Sequence, residues 1–318
     1  MAIKKSVSSP KVKKLLKKRV DINFKSTVLW SSLLFLLGVG VFVAGGYIWF
    51  NKTANDGEQL FYSMLSRNLE IDSVSRMITQ NESGREESQD YFLTFSPSPA
   101  VYTSSKVSQI TQSRENSTVA TEMIGLKSID YVRYTDVQVP KSDGDNTDYS
   151  KILNTWARRE ANAGEGQEAQ FLNEAVFTFV PFGNFDQAQK QKFINMIKEK
   201  KVYELNPGKV VYDGMRPMYS MNVTVNPRQL VTVMKEYSEV TGLGNKDTLN
   251  PEEFQDQYVF TIRLKIDPIS RHLVELSYPG TTRVEKYVGY GVDLPIEAPA
   301  QTIPIAELQS RISGGQEQ

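Results

Sequence analysis

The sequence predicts an α+β protein with a single N-terminal transmembrane helix followed by an extracytoplasmic antiparallel sheet covered by helices. Three observations predict it. An uncharged run of twenty-three residues, Val28–Phe50, follows a strongly basic head. The last third of the chain alternates apolar and polar residues with the period of two that a half-buried strand requires. Capped helical stretches are interleaved with those strands, and a sheet with one apolar face needs such a cover.

The head, residues 1–27, carries nine basic side chains (Lys4, Lys5, Lys11, Lys13, Lys14, Lys17, Lys18, Arg19, Lys25) against one acid, Asp21. The whole chain holds 37 basic and 37 acidic residues, so 28 and 36 remain for the rest, and the zero net charge conceals a partition. As a helix, Val28–Phe50 reaches about 34 Å, enough to cross a hydrocarbon core of about 30 Å. Trp30 marks one end and Tyr47, Trp49 and Phe50 the other, where amphipathic rings sit at the headgroups. The basic flank precedes the span, so the N-terminus lies in the cytoplasm and residues 51–318 outside the plasma membrane. A cleaved signal peptide is the competing reading, but the run is long for its apolar region and ends in an aromatic belt. The lysines serve as topology signal and anionic-lipid contact rather than as a nucleic-acid site.

Residues 51–57 form a polar linker, and the outer domain runs over 58–312, leaving 313–318 as a flexible tail. Leu60, Phe61, Met64, Leu65 and Leu69 share one helical face. Strand-like stretches follow at Ser73–Gln80, Tyr91–Phe95, Val101–Gln112, Thr118–Ile124 and Ser128–Val137, rich in Thr, Val, Tyr and Ile. Gly- and Asp-rich loops then flank a short predicted helix, Tyr149–Arg159. Asp186–Lys200 carries Phe193, Ile194 and Ile197 on one stripe. Asn226-Pro227 starts a helix, an N-cap followed by proline at the first helical position, and Asn250-Pro251-Glu252-Glu253 repeats the device with Glu253 placed for a capping box. Met218–Val225, Tyr258–Ile266, Arg271–Ser277 and Thr281–Tyr290 form a meander with turns at Asp267–Ser270 and Pro279-Gly280.

Three phrases carry a family resemblance: FYSMLSRNLEIDSVSRMIT (61–79), VYDGMRPMYSMNVTVNPRQLVTVMKEY (211–237), and YVFTIRLKIDPISRHLVELSY with the ending YVGYGVDLPIEAPA (258–300). With the order helix, sheet, helices, final meander, they make residues 58–312 resemble the bacterial lipoprotein-carrier superfamily of LolA-like and LppX-like proteins. The resemblance implies a curved half-barrel closed by helices and a lipid or other apolar ligand. Family members are soluble carriers or cysteine-anchored lipoproteins, whereas this chain has no cysteine and a predicted protein anchor. A tethered module holds or hands over a ligand near the membrane rather than shuttling it.

Chemistry is sparse. His272 is the sole histidine and no cysteine exists, so thiolate or multi-histidine metal sites are excluded and a Ser-His-Asp triad would have to use His272 without a G-x-S-x-G elbow. Asp143, Asp145 and Asp148 are spaced like part of a calcium loop but lack the glycine and terminal glutamate of an EF-hand. Gly289-Tyr290-Gly291 lacks the helix and lysine of a phosphate loop. The sequence therefore predicts no enzyme, no cofactor and no metal. Candidate ligand-binding residues are the apolar strand faces, Tyr219, Met221, Val223, Phe260, Ile262, Leu264, Val274 and Leu276. Two readings stay open: a non-catalytic, membrane-tethered module for a lipid or apolar ligand, in which these residues border a cavity, or an envelope sensor or protein-interaction domain, in which they form a filled core.

Overall fold

The computed structural model describes residues 35, 38–41, 45, 56–110, 116–140, 148–160, 170–243, 249–255 and 259–313. The chain divides into two units, Met1–Thr53 and Ala54–Gln318. In the first, Phe35, Gly38, Val39, Gly40, Val41 and Gly45 are helical and exposed. Among the described residues no helix is long and apolar enough to cross a membrane. Those six positions apart, the predicted span over 28–50 lies outside the described residues, as does the basic head.

The second unit is a mixed α+β fold with a large, open, curved sheet and a few helices. Helix α1 (Gly57–Asn68) starts where the Asp56 carboxylate accepts the Gln59 backbone N–H at 2.9 Å, an N-cap, and buries Leu60, Phe61, Met64 and Leu65. Five long strands follow, β1 (Ser73–Glu82), β2 (Arg85–Thr94), β3 (Ala100–Ile110), β4 (Asn116–Gly125) and β5 (Ile129–Gln138), each antiparallel to the last. Ser83 and Gly84 link β1 to β2 with positive φ at both positions, the two-residue turn whose twist matches paired strands.

The predicted helix at Tyr149–Arg159 is not formed. A single 3₁₀ turn, Tyr149–Lys151, gives way to strand β6 (Ala157–Glu160), which pairs with β5 on one side and with β13 (Ile303–Pro304) on the other. Backbone pairing with distant strands overrides the local helical tendency of this stretch.

Two helices, α2 (Gln170–Val176) and α3 (Gln187–Glu199), separate the two halves of the sheet in sequence, and a third, α4 (Pro227–Thr241), lies between strands of the second half. Asp186 and Gln189 close a reciprocal capping box on α3, and the Asn226 side chain accepts the Gln229 N–H ahead of Pro227 on α4. The second device, at Asn250, opens only a 3₁₀ turn, Pro251–Glu253; there the Asn250 amide donates to the Glu253 carboxylate at 3.3 Å, and no reciprocal box is seen.

The remaining strands are β7 (Tyr203–Leu205), β8 (Lys209–Asp213), β9 (Arg216–Val225), β10 (Phe260–Ile266), β11 (Leu273–Ser277) and β12 (Val284–Val288). The sheet runs β13-β6-β5-β4-β3-β2-β1-β12-β11-β10-β9-β7, with β8 also on β9. Its halves join where β1 pairs with β12, from Ser75 opposite Val288 to Thr79 opposite Val284. One large core fills the space between the inner face and α1–α4. A smaller cluster of Ile152, Ala157 and Leu308 seats the last helix, α5 (Ile305–Ser313), beside β6.

Candidate functional site

Seven of the eight apolar residues singled out by alternation meet the large core on the inner side of the sheet's second half, and six of them are buried there. Tyr219, Met221, Val223, Ile262, Leu264 and Leu276 are buried in the large core. Phe260 is half-buried and meets Phe179 edge to face at 4.6 Å. Val274 is half-buried too: the register shifts between Lys265 and Ile266, so Leu273 takes the buried place opposite Ile266. None of the eight lines the cavity that lies where the two halves of the sheet meet.

That cavity has a volume of 280 Å³. Its floor comes from β1, β2 and β12, and its roof from Phe177–Phe179, from Leu230, Val231 and Met234 of α4, and from Leu249. Directly opposed residues of antiparallel strands share a face. Arg76 stands opposite Tyr91 on β2 and Tyr287 on β12, and Ile78 stands opposite Glu285, so this register places an arginine and a glutamate on the inner face. Arg76 is 6% exposed and Glu285 3%.

Glu285 is fully engaged. One oxygen accepts the Tyr278 hydroxyl at 2.8 Å and the Arg283 Nε and terminal nitrogen at 3.2 and 3.0 Å; the other accepts the Tyr287 hydroxyl at 2.9 Å. Burial, followed by the Glu285 charge, pushes both tyrosine hydroxyls well above the usual phenol range, so they remain donors. Arg76 is differently placed. Its guanidinium lies 4.4 Å from the centre of the Tyr91 ring, a cation–π contact. Its Nε has no hydrogen-bond partner, and among the described residues it forms no ion pair.

The roof is held by its own hydrogen bonds. The Tyr203 hydroxyl donates to the Phe179 carbonyl at 2.6 Å, Thr178 Oγ1 donates to the Val180 carbonyl at 2.6 Å, and the buried Tyr237 hydroxyl donates to the Phe182 carbonyl at 2.7 Å. Phe179 also contacts Tyr278 edge to face, tying roof to floor.

A second cavity of 150 Å³ borders α2 and is lined by Met123, Asp130, Tyr131, Val132, Arg159, Phe171 and Ile305. One oxygen of Asp130 accepts Arg159 at 2.7 Å and the Phe171 N–H at 3.4 Å. α2 approaches β4 closely at Gly125, where a Cβ would lie 2.9 Å from the Leu172 backbone nitrogen and from the Phe171 ring. Only glycine admits the helix there.

An open groove of 690 Å³ beside α1 and α3 contains Glu70 paired with both Arg67 and Lys190, Lys198 over the Tyr62 ring at 4.1 Å, and Arg271 donating to Ser63 at 3.1 Å. His272 stacks on Tyr290 with ring centres 4.0 Å apart. Among the described residues no group of three or more His, Asp or Glu side chains could hold a metal ion. Of the acidic loop, Asp143 and Asp145 lie outside the described residues, and Asp148 accepts the Ser150 N–H and hydroxyl.

Sequence reasoning misses this cavity because Arg76 and Glu285 read as solvent-facing polar residues. A signal is nonetheless there: Val74, Arg76 and Ile78 alternate onto one face of a strand, and an arginine between two buried aliphatics needs an explanation.

No family model and no curated protein matches the chain. Among solved structures, it is similar to the crystal structure of LprF from Mycobacterium bovis, with a TM-score of 0.39 and 12% sequence identity, covering 76% of this chain and 96% of that one.

Proposed function

We propose that Ala54–Gln318 is a non-catalytic binding module for a lipid or other apolar molecule, a half-barrel tethered at the outer face of the plasma membrane by a span over 28–50. One observation carries the reading: the 280 Å³ cavity between the inner face of the sheet and the apolar side chains Phe177, Phe179, Leu230, Val231 and Met234. Its volume is close to the small end, about 300 Å³, of small-molecule sites. At roughly 30 Å³ per water-sized unit, it accepts about nine heavy atoms. It therefore suits a single short chain, or the head and first carbons of a longer one.

The filled packing of Tyr219, Met221, Val223, Ile262, Leu264 and Leu276 favours a second reading, an envelope sensor or protein-interaction domain that needs no small ligand. Native mass spectrometry of residues 51–318, with circular dichroism to verify folding, separates the two. A co-purifying amphiphile supports the first. A clean apo mass that no added amphiphile shifts leaves the second. The tether has its own test: external protease on spheroplasts digests the C-terminal part if the span orients as proposed, and spares it if the domain is cytoplasmic.

A further inference from the structure

We propose that the cavity recognises an amphiphile by a single anionic head, a carboxylate or phosphate monoester, received by Arg76; the inference rests on the binding reading above and adds the chemistry of the head. A buried charge persists only when paired or hydrogen-bonded. Arg76 is more than nine-tenths buried, it lines the cavity, and its Nε is unpartnered. Glu285, the acid diagonally across the strand pair, has both oxygens occupied by Tyr278, Tyr287 and Arg283. The Tyr91 ring holds the guanidinium over its face, and its hydroxyl, a neutral group, donates to Gln89 at 2.6 Å.

Of the two guanidinium groups in the lining, Arg283 pairs with Glu285 and its side chain is 40% exposed, so Arg76 alone is both buried and without an ion pair among the described residues. The other walls of the cavity include Ile78, Phe179, Leu230 and Met234. A guanidinium edge matches the two oxygens of a carboxylate or phosphate, and the aliphatic roof takes the chain. A neutral or cationic head would leave Arg76 as it is, unpaired.

The test titrates octanoate, octyl phosphate and octanol, which share one eight-carbon chain, onto the full chain in lipid nanodiscs by calorimetry, with empty discs as blank. The wild-type chain is expected to bind one or both anions on the order of tenfold or more tighter than octanol; the ratio between octanoate and octyl phosphate distinguishes the carboxylate from the phosphate source. Arg76→Met, which keeps the stem, is expected to abolish that preference while still binding octanol. Arg76→Lys retains a reduced preference. Without ligand, Arg76→Met is expected to raise the melting temperature, because it removes an unpaired buried charge. Equal binding of all three by the wild-type chain, or an undiminished preference in Arg76→Met, overturns the head-group assignment and leaves the apolar site standing. Failure of all three to bind overturns the assignment and the binding reading together.

Discussion

Tyr91 and Phe171 stack with ring centres 6.3 Å apart and planes inclined by 24°, and each ring lines one of the two inner cavities. Tyr91 lines the 280 Å³ chamber and Phe171 the 150 Å³ one. Phe171→Ala is expected to connect them and to shift binding toward longer chains in a series from octanoate to tetradecanoate. The truncation is also expected to destabilise the domain by about 3 kcal/mol, the low end for a buried phenylalanine, because its neighbourhood is already loosely filled. Unchanged chain-length preference would show that the cavities do not communicate through this ring.

Glu285 organises the floor, and its removal separates electrostatics from shape. Glu285→Gln keeps the volume but withdraws the charge that Arg283 and two tyrosine hydroxyls address. Withdrawing the charge from this buried carboxylate, which several donors address, is expected to cost about 3 kcal/mol. Tyr287→Phe, which removes one of those charge-assisted hydrogen bonds, should cost about 1.5 kcal/mol. Urea unfolding of both variants checks the ranking; equal losses would mean that the carboxylate charge contributes nothing beyond one hydrogen bond.

How far this floor can be read from the chain depends on the range of the forces involved. Alternation in Tyr219–Val225 and Phe260–Ile266, the apolar stripe of Asp186–Lys200 and the cap at Asn226 are local signals, and the corresponding elements form. β6 and α2 escape a reading of the sequence because neither is specified locally. The ARRE of β6 has helical propensity until β5 and β13 pair with it, and the seven residues of α2 are too few to establish a period. The strand faces are legible, but which stretch of sheet encloses empty space is not. That depends on where α4 and Phe177–Phe179 come down, a tertiary outcome. Hence alternation finds the packed core in β9–β11, while the cavity lies over β1, β2 and β12.

The turn between β10 and β11 offers a test by pH. Asp267 accepts the Ile269 and Ser270 N–H groups at 2.7 and 3.1 Å and pairs with Arg216. Burial opposes its charged form, yet Arg216 and the two N–H groups hold the carboxyl below its ordinary value of 3.8. A folded value below the unfolded one means a stabilising contribution fully present above pH 3.8 and lost as pH falls through the lower, folded value. Asp267→Asn should therefore cost about 2 kcal/mol at pH 7, with the gap to wild type closing as the medium is acidified below that range. A gap that persists in acid would assign the loss to turn geometry instead of charge.

His272 gives a single, unambiguous titration, since the chain has no other histidine. Burial, then the Arg67 charge, lowers its pKa from the ordinary 6.5; Asp267 and Glu70 act the other way but do not prevail. The ring-stacking contact with Tyr290 accounts for part of that burial. The imidazole proton resonance of the full chain is thus expected to titrate with a midpoint below 6.5. Arg67→Gln should move that midpoint upward by removing a like charge, and Glu70→Gln should move it downward by removing an opposite one. Because the folded value is the lower, the contribution to stability is intact above pH 6.5 and fades as pH falls through the observed midpoint. A midpoint at or above 6.5 would mean that the carboxylates outweigh burial and Arg67, and that His272 is held in its charged form near neutrality.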